Sequence, residues 1–118
     1  MATFNQSVEV GPRDGARFQR IIARVDPRST YTVMPGPLLT MLGIEPEWTQ
    51  QFDLADGGRE ERSLAEVRLK IADRDRTTIC VFGQPESEPV LGAYALAGFG
   101  LQADTAGERL VSAPLFLD

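Results

Sequence analysis

The chain divides into short segments of β type separated by tight-turn clusters, and this pattern limits the possible folds more than any other feature. The clearest segment runs from Val67 to Ile71, where apolar residues alternate with Arg68 and Lys70 as on a half-buried strand. Clusters rich in Gly, Pro and Asp lie between such segments, at 11–15 and again at 55–58. Many short strands joined by tight turns predict a mostly β barrel or sandwich.

The remaining segments can be assigned from the same two signals, polarity pattern and turn residues. Leucines after a proline predict a short helix at Pro37–Leu42, with Gly43 as its C-terminal cap, and a second helix is expected at Ala93–Phe99. The predicted turn after Ile71 covers Asp73–Arg76. Strands or short apolar elements are expected at Val8–Val10, Phe18–Val25, Tyr31–Met34, Trp48–Leu54, Val67–Ile71, Thr77–Phe82, Val90–Gly92, Leu101–Ala103 and Arg109–Val111.

Composition narrows the possible functions. The 118 residues fit one domain over 1–118, and a formal net charge of −5 disfavours binding to nucleic acid or to an anionic membrane. The chain has no histidine, which removes Ser-His and Cys-His nucleophilic systems and the common histidine-containing zinc sites. Acid–base chemistry would therefore have to come from carboxylates, Lys, Tyr or a bound metal.

Cys80 is the one cysteine, so no disulfide can form within the chain. It lies in an apolar run, which favours a buried structural thiol over a nucleophile. The first residues lack the basic and apolar regions of a signal peptide, and no window is apolar enough to span a bilayer. We therefore expect a cytoplasmic protein.

Three motifs resemble one known family. The strand ending at Val25-Asp26 is followed by a Thr- and Tyr-rich segment and a leucine-rich helix, then by Leu54-Ala55-Asp56-Gly57 and by Val90-Leu91-Gly92. In this order the chain resembles the retropepsin-like (clan AA) aspartic peptidases, of the small single-domain type found in prokaryotes. The resemblance covers about Val8 to Val111. It implies an acid-protease fold, a closed β-barrel with one or two short helices.

The resemblance also implies a site and a partner. One chain would supply one catalytic aspartate, Asp26, and a homodimer would bring two of them together across a two-fold axis. Such a pair shares a proton, activates water and cuts an extended peptide, without any cofactor or metal. The turn of Ala55, Asp56, Gly57 and Gly58 would form a mobile flap over the peptide, and Leu91 and Gly92 would support the Asp26 loop.

The match departs from the family at the residues nearest the chemistry. Where the family has Asp-Thr-Gly, this chain has Asp26-Pro27-Arg28, followed by the small hydroxyl residues Ser29 and Thr30. Pro27 has neither the hydroxyl nor the N–H with which the family's threonine joins the two loops, and Arg28 brings a cation beside the carboxylate. The sequence therefore predicts an inactive or impaired peptidase homologue. If Arg28 pairs with Asp26, the site becomes a salt-bridged loop.

Other functions stay open on the sequence alone: an active homodimeric aspartic endopeptidase, a non-catalytic module that binds a peptide or scaffolds a dimer, and a monomeric barrel with unrelated partners. Some further residues have ordinary structural explanations. Asp104-Thr105-Ala106-Gly107 is interpreted as a hairpin turn, Asp73 and Asp75 as a surface turn, and Trp48 as partly buried packing.

Overall fold

Strands dominate the computed structural model, which describes residues 3–118. In chain order the elements are β1 Phe4–Gly11, β2 Gln19–Val25, β3 Thr32–Pro35, α1 Gly36–Met41, β4 Trp48–Asp53, β5 Arg59–Ile71, β6 Arg74–Gly83, β7 Val90–Leu91, α2 Ala93–Gly98, β8 Leu101–Asp104 and β9 Arg109–Ser112. The mostly β prediction with short helices is confirmed.

The main sheet curves into a near-closed barrel. Its strand order is β1-β2-β7-β3-β6-β5-β4, and β1 also pairs with β5, which brings the two sides of the sheet together. β4 continues beyond this closure as an edge strand paired to β5. β8 and β9 form a separate two-stranded sheet. The closed β-barrel expected from the sequence is therefore the architecture observed.

Alternation along β5 explains how one strand serves both the core and the surface. Val67 and Leu69 are fully buried and Ile71 is 2% exposed, whereas Arg68 and Lys70 lie on the outer side. The buried residues belong to one apolar cluster with residues from the other barrel strands and both helices. Burying this face stabilises the fold at roughly 25 cal/mol per Å² of apolar surface.

One sequence prediction about this region is wrong. The turn lies at Ala72 and Asp73, not at Asp73–Arg76, because Arg74 already pairs with Ile71 as the first residue of β6. Ala72 takes the left-handed backbone conformation (φ 55°) that so tight a turn requires. The charged residues here lie on the solvent-facing side of the strands. The Asp75 side chain forms a salt bridge with Arg68 of β5.

β7 has only two residues, but it connects two strands of the main sheet. It pairs parallel to the end of β2, at Arg24 and Val25, and antiparallel to β3, at Val33. The segment just before α2 therefore lies between the strand that precedes Asp26 and the strand that follows its loop. Among residues 3–118, no helix is long and apolar enough to cross a membrane.

Candidate functional site

Asp26 lies directly after β2, where the chain leaves the sheet and turns. Its N–H donates to the Leu91 carbonyl at 3.0 Å, and its own carbonyl accepts the Ser29 N–H at 3.0 Å. Pro27 favours an extended conformation at Asp26, after which the chain can turn back toward the aspartate. The loop is therefore anchored by backbone bonds on both sides of the carboxylate.

The carboxylate of Asp26 is held by Arg28 from two directions. The Arg28 guanidinium donates from Nε to Oδ1 at 3.0 Å and from Nη2 to Oδ2 at 3.2 Å, a bidentate ion pair. The Arg28 backbone N–H donates to Oδ1 at 3.1 Å. The Asp26 side chain is only 10% exposed while that of Arg28 is 59% exposed, so the guanidinium covers the acid from the solvent side. The salt-bridged loop considered from the sequence is the arrangement observed.

Arg24 completes the group, and sequence reasoning missed it. Its Nη1 donates to Asp26 Oδ2 at 3.0 Å, and its Nε donates to Glu88 Oε1 at 3.0 Å. The available signal was the strand period of two, which places residues 24 and 26 on the same side of the chain. The contact with Glu88 comes from the loop before β7 and leaves no local trace in the sequence.

These contacts set the charge of the acid. The hydrogen bond from the Arg28 side chain is the largest influence and lowers the pKa of Asp26, although burial acts in the opposite direction. The backbone N–H of Arg28 and the charges of Arg28 and Arg24 lower this pKa further. The site therefore holds an ionised carboxylate with its own counter-ions.

The segment Leu91–Gly92, at the end of β7, lies against the Asp26 loop. Gly92 donates its N–H to the buried Thr32 Oγ1 at 3.2 Å. A Cβ at position 92 would lie 2.4 Å from the Tyr31 carbonyl oxygen and 2.8 Å from that of Ser29. Only glycine allows this approach of two backbones.

Helix α2 extends the same support to the far end of the loop. Its first residue, Ala93, donates a backbone bond to the Ser29 carbonyl at 2.8 Å, and Tyr94 donates to the Thr30 carbonyl at 2.9 Å. The loop residues predicted to form the site, from Asp26 to Thr30, are therefore bound as one unit to the Leu91–Gly92 segment and to α2.

The predicted flap is a hairpin turn between β4 and β5. Leu54 N–H donates to the Gly58 carbonyl at 2.8 Å, and Gly58 N–H donates to Asp56 Oδ1 at 2.8 Å. Gly57 has φ +90°, which explains the glycine there. All four residues of the turn from Ala55 to Gly58 are solvent-exposed.

A cleft of about 320 Å³ lies between this hairpin and the Asp26 loop. The loop contributes Arg28 to its wall, and the hairpin contributes Phe52 and Leu54. The Tyr31 ring stands edge-on to Phe52, with centroids 6.3 Å apart, and to Tyr94 of α2, at 5.6 Å. These three rings come from distant segments, so no sequence signal grouped them.

Other candidate residues have the structural roles expected of them. Asp104 Oδ1 accepts the Gly107 N–H at 3.1 Å, which makes this segment a hairpin turn between β8 and β9. Cys80 is fully buried, and burial raises the pKa of its thiol to about 12. Trp48 is partly buried. Within the described part of the chain, no three His, Cys, Asp or Glu side chains gather as metal ligands would.

Comparisons with known proteins bear on the fold. No protein-family model matches the sequence, and no curated protein matches it. Among solved structures, the solution structure of the protease of simian foamy virus (macaque) superposes with a TM-score of 0.55 at 16% sequence identity, covering 78% of this chain and 92% of that one. Since that protein is a retropepsin-like protease, the chain has a retropepsin-like fold.

Proposed function

We propose that this protein is a catalytically inactive or severely impaired homologue of the aspartic peptidases, which pairs with a second copy of itself and holds an extended peptide in its cleft. One observation carries the proposed loss of catalysis: the bidentate ion pair between Asp26 and Arg28, at 3.0 and 3.2 Å. The retropepsin-like fold supports the general class.

The ion pair opposes the chemistry of an aspartic peptidase. Hydrolysis by two facing aspartates needs one proton shared between them, so that the charged member activates water and the protonated member polarises the scissile carbonyl. Each Asp26 here has Arg28 and Arg24 as counter-ions, so two of them can lie close together while both stay ionised. A doubly ionised pair has no acid to donate.

Binding of a peptide does not need that proton. An extended peptide lying beneath the β4–β5 hairpin would place side chains in the cleft beside Tyr31, Phe52 and Leu54. The apolar and aromatic part of this wall favours the non-catalytic peptide-binding alternative over a purely structural dimer. We keep a cytoplasmic location as part of the proposal, in agreement with the free cysteine at position 80.

The test is peptide cleavage by the purified protein, using an unfolded protein substrate from about pH 3 to pH 8. We expect no turnover from the native sequence. The double variant Pro27→Thr with Arg28→Gly restores the Asp-Thr-Gly pattern and should gain activity with an acidic optimum.

The matched control adds Asp26→Asn to that double variant, which should remove any activity gained. Cleavage by the native sequence that disappears in Asp26→Asn would overturn the proposal and favour the active endopeptidase.

A further inference from the structure

Arg28 has hydrogen-bond donors that its ion pair with Asp26 does not use. A guanidinium carries five N–H groups, and the ion pair takes one on Nε and one on Nη2. Among residues 3–118, no acceptor is bonded to the other N–H groups, which include both on Nη1. Because the Arg28 side chain is 59% exposed, these donors are accessible to a ligand.

The free side of Arg28 belongs to the cleft between the β4–β5 hairpin and the Asp26 loop. Arg28 lines this cleft, whereas its counter-ion Asp26 does not, and the Asp26 side chain is only 10% exposed. The cleft wall also contains the cation of Arg62, but this pairs with Glu60 of the same wall. Arg28 is therefore the cation of this wall that can offer donors to a ligand.

An apolar surface lies in the same cleft. The rings of Tyr31 and Phe52 stand edge to face with centroids 6.3 Å apart, and Leu54 beside them is 42% exposed. In an extended peptide, side chains two residues apart lie on the same side of the strand, about 6.6 Å from each other. A peptide can therefore direct one group to Arg28 and an apolar side chain to the rings.

We propose that the cleft recognises a peptide by a carboxylate, which the free N–H groups of Arg28 bind, and by an apolar or aromatic side chain two residues away, which packs on Tyr31 and Phe52. A carboxylate presents two oxygens in the plane that a guanidinium binds best. Acidic side chains and the C-terminus of a peptide share this group. The inference rests on the peptide binding of the proposed function, and it names the class of peptide.

The charges around the site limit what can bind. The net charge of −5 repels an anion at long range, but salt screens this repulsion beyond about 10 Å, so the preference has to come from direct contact with Arg28. The carboxylates of Asp53 and Glu60 also lie in the wall, which disfavours a doubly charged group such as a phosphate. Asp53 is 83% exposed and pairs with Arg59, so its effect on a single carboxylate is small.

Three short peptides that differ in the carboxylate test the proposal on the native protein. The first is acetyl-Thr-Phe-Thr-Glu-Thr-amide, the second has Gln in place of Glu, and the third is the Gln peptide ended after its fourth residue with a free carboxylate. Titrations followed by NMR give the dissociation constants. We expect at least one carboxylate peptide to bind about fivefold or more tightly than the neutral peptide, as a charge-assisted hydrogen bond allows.

Variants of Arg28 locate the contact. Arg28→Gln should abolish the preference for a carboxylate, while Arg28→Lys keeps the charge without the planar fork and should retain part of it. Arg13→Gln is the matched control, because Arg13 is 58% exposed, pairs with Glu66 at 2.9 Å and does not line this cleft. It removes the same charge and should leave the preference unchanged.

The outcomes separate this inference from the proposed function. Equal binding of the three peptides by the native protein would overturn the carboxylate contact and leave peptide binding standing. A preference that survives in Arg28→Gln would also overturn it, because another group would then hold the carboxylate. Binding of none of the peptides would overturn both proposals. Tighter binding of the Glu peptide alone would assign an internal acidic residue, and that of the shortened peptide alone would assign a C-terminus.

Discussion

At the scale of single residues, the main feature of the site is the Asp26 carboxylate and the two arginines that bind it. The sequence was enough to single out Asp26 and to show that Arg28 stands two residues after it. It could not show the direction of the guanidinium, because an exposed arginine side chain has many rotamers. Nor could it show that Arg24 binds both Asp26 and Glu88. Those contacts depend on the approach of a loop that is 64 residues away in sequence from Arg24.

The ion pair predicts how stability depends on pH. The pKa of Asp26 is lowered in the folded state, so the charged carboxylate stabilises the fold above the ordinary aspartate pKa of about 3.9, and this stabilisation declines as the pH falls from there toward the folded-state value. Asp26→Asn should lower the free energy of unfolding at pH 7 by about 1 kcal/mol, a modest value because solvent screens Arg28. Urea unfolding at pH 7 and at about pH 3 measures the difference, which should shrink at the lower pH. A difference that grows on acidification would contradict this.

At the scale of elements, the loop that carries Asp26 is held by backbone contact with the Leu91–Gly92 segment. The sequence indicated the Leu91–Gly92 element and both helices, since proline, glycine and leucine mark their ends. It underestimated β5, which begins at Arg59, because polar residues that pair only with β4 give no apolar alternation. The turn at Ala72 was missed because alanine is not a residue that favours a positive φ.

Gly92 allows the close approach of β7 to the Asp26 loop, and this can be tested by adding one methyl group. Gly92→Ala would place a Cβ 2.4 Å from the Tyr31 carbonyl oxygen, so we expect a loss of about 1–3 kcal/mol in the free energy of unfolding. The matched control is Gly98→Ala at the end of α2, where a Cβ meets nothing within 4 Å and alanine favours the helix. Denaturant unfolding compares the two variants. Equal stabilities would contradict the tight contact at Gly92.

At the scale of the whole molecule, closure of the barrel determines which side chains are shielded from solvent. The pairing of β1 with β5 encloses a core that includes Cys80. The sequence predicted the barrel class from its many short strands, but the pairing of β1 with β5 joins residues about 60 positions apart and has no local signal.

Burial of Cys80 gives a test of that closure. Its thiol is fully buried and its pKa is raised to about 12, so little thiolate is available to an alkylating reagent in the folded protein. Labelling by iodoacetamide should be at least about a thousandfold slower than in urea, since it has to wait for opening of the core. Met41→Cys, with an exposed thiol on α1, should label rapidly and serves as the control. Rapid labelling of Cys80 in the native protein would show that the barrel is open.

The most direct measurement is an NMR titration of the Asp26 carboxyl carbon, assigned by its absence in Asp26→Asn. We expect a single step below the ordinary aspartate pKa of about 3.9, which moves upward in Arg28→Gln when the guanidinium is lost. Two coupled steps, or one step well above that value, would show a shared proton between paired acids and would contradict the ionised, arginine-bound aspartate.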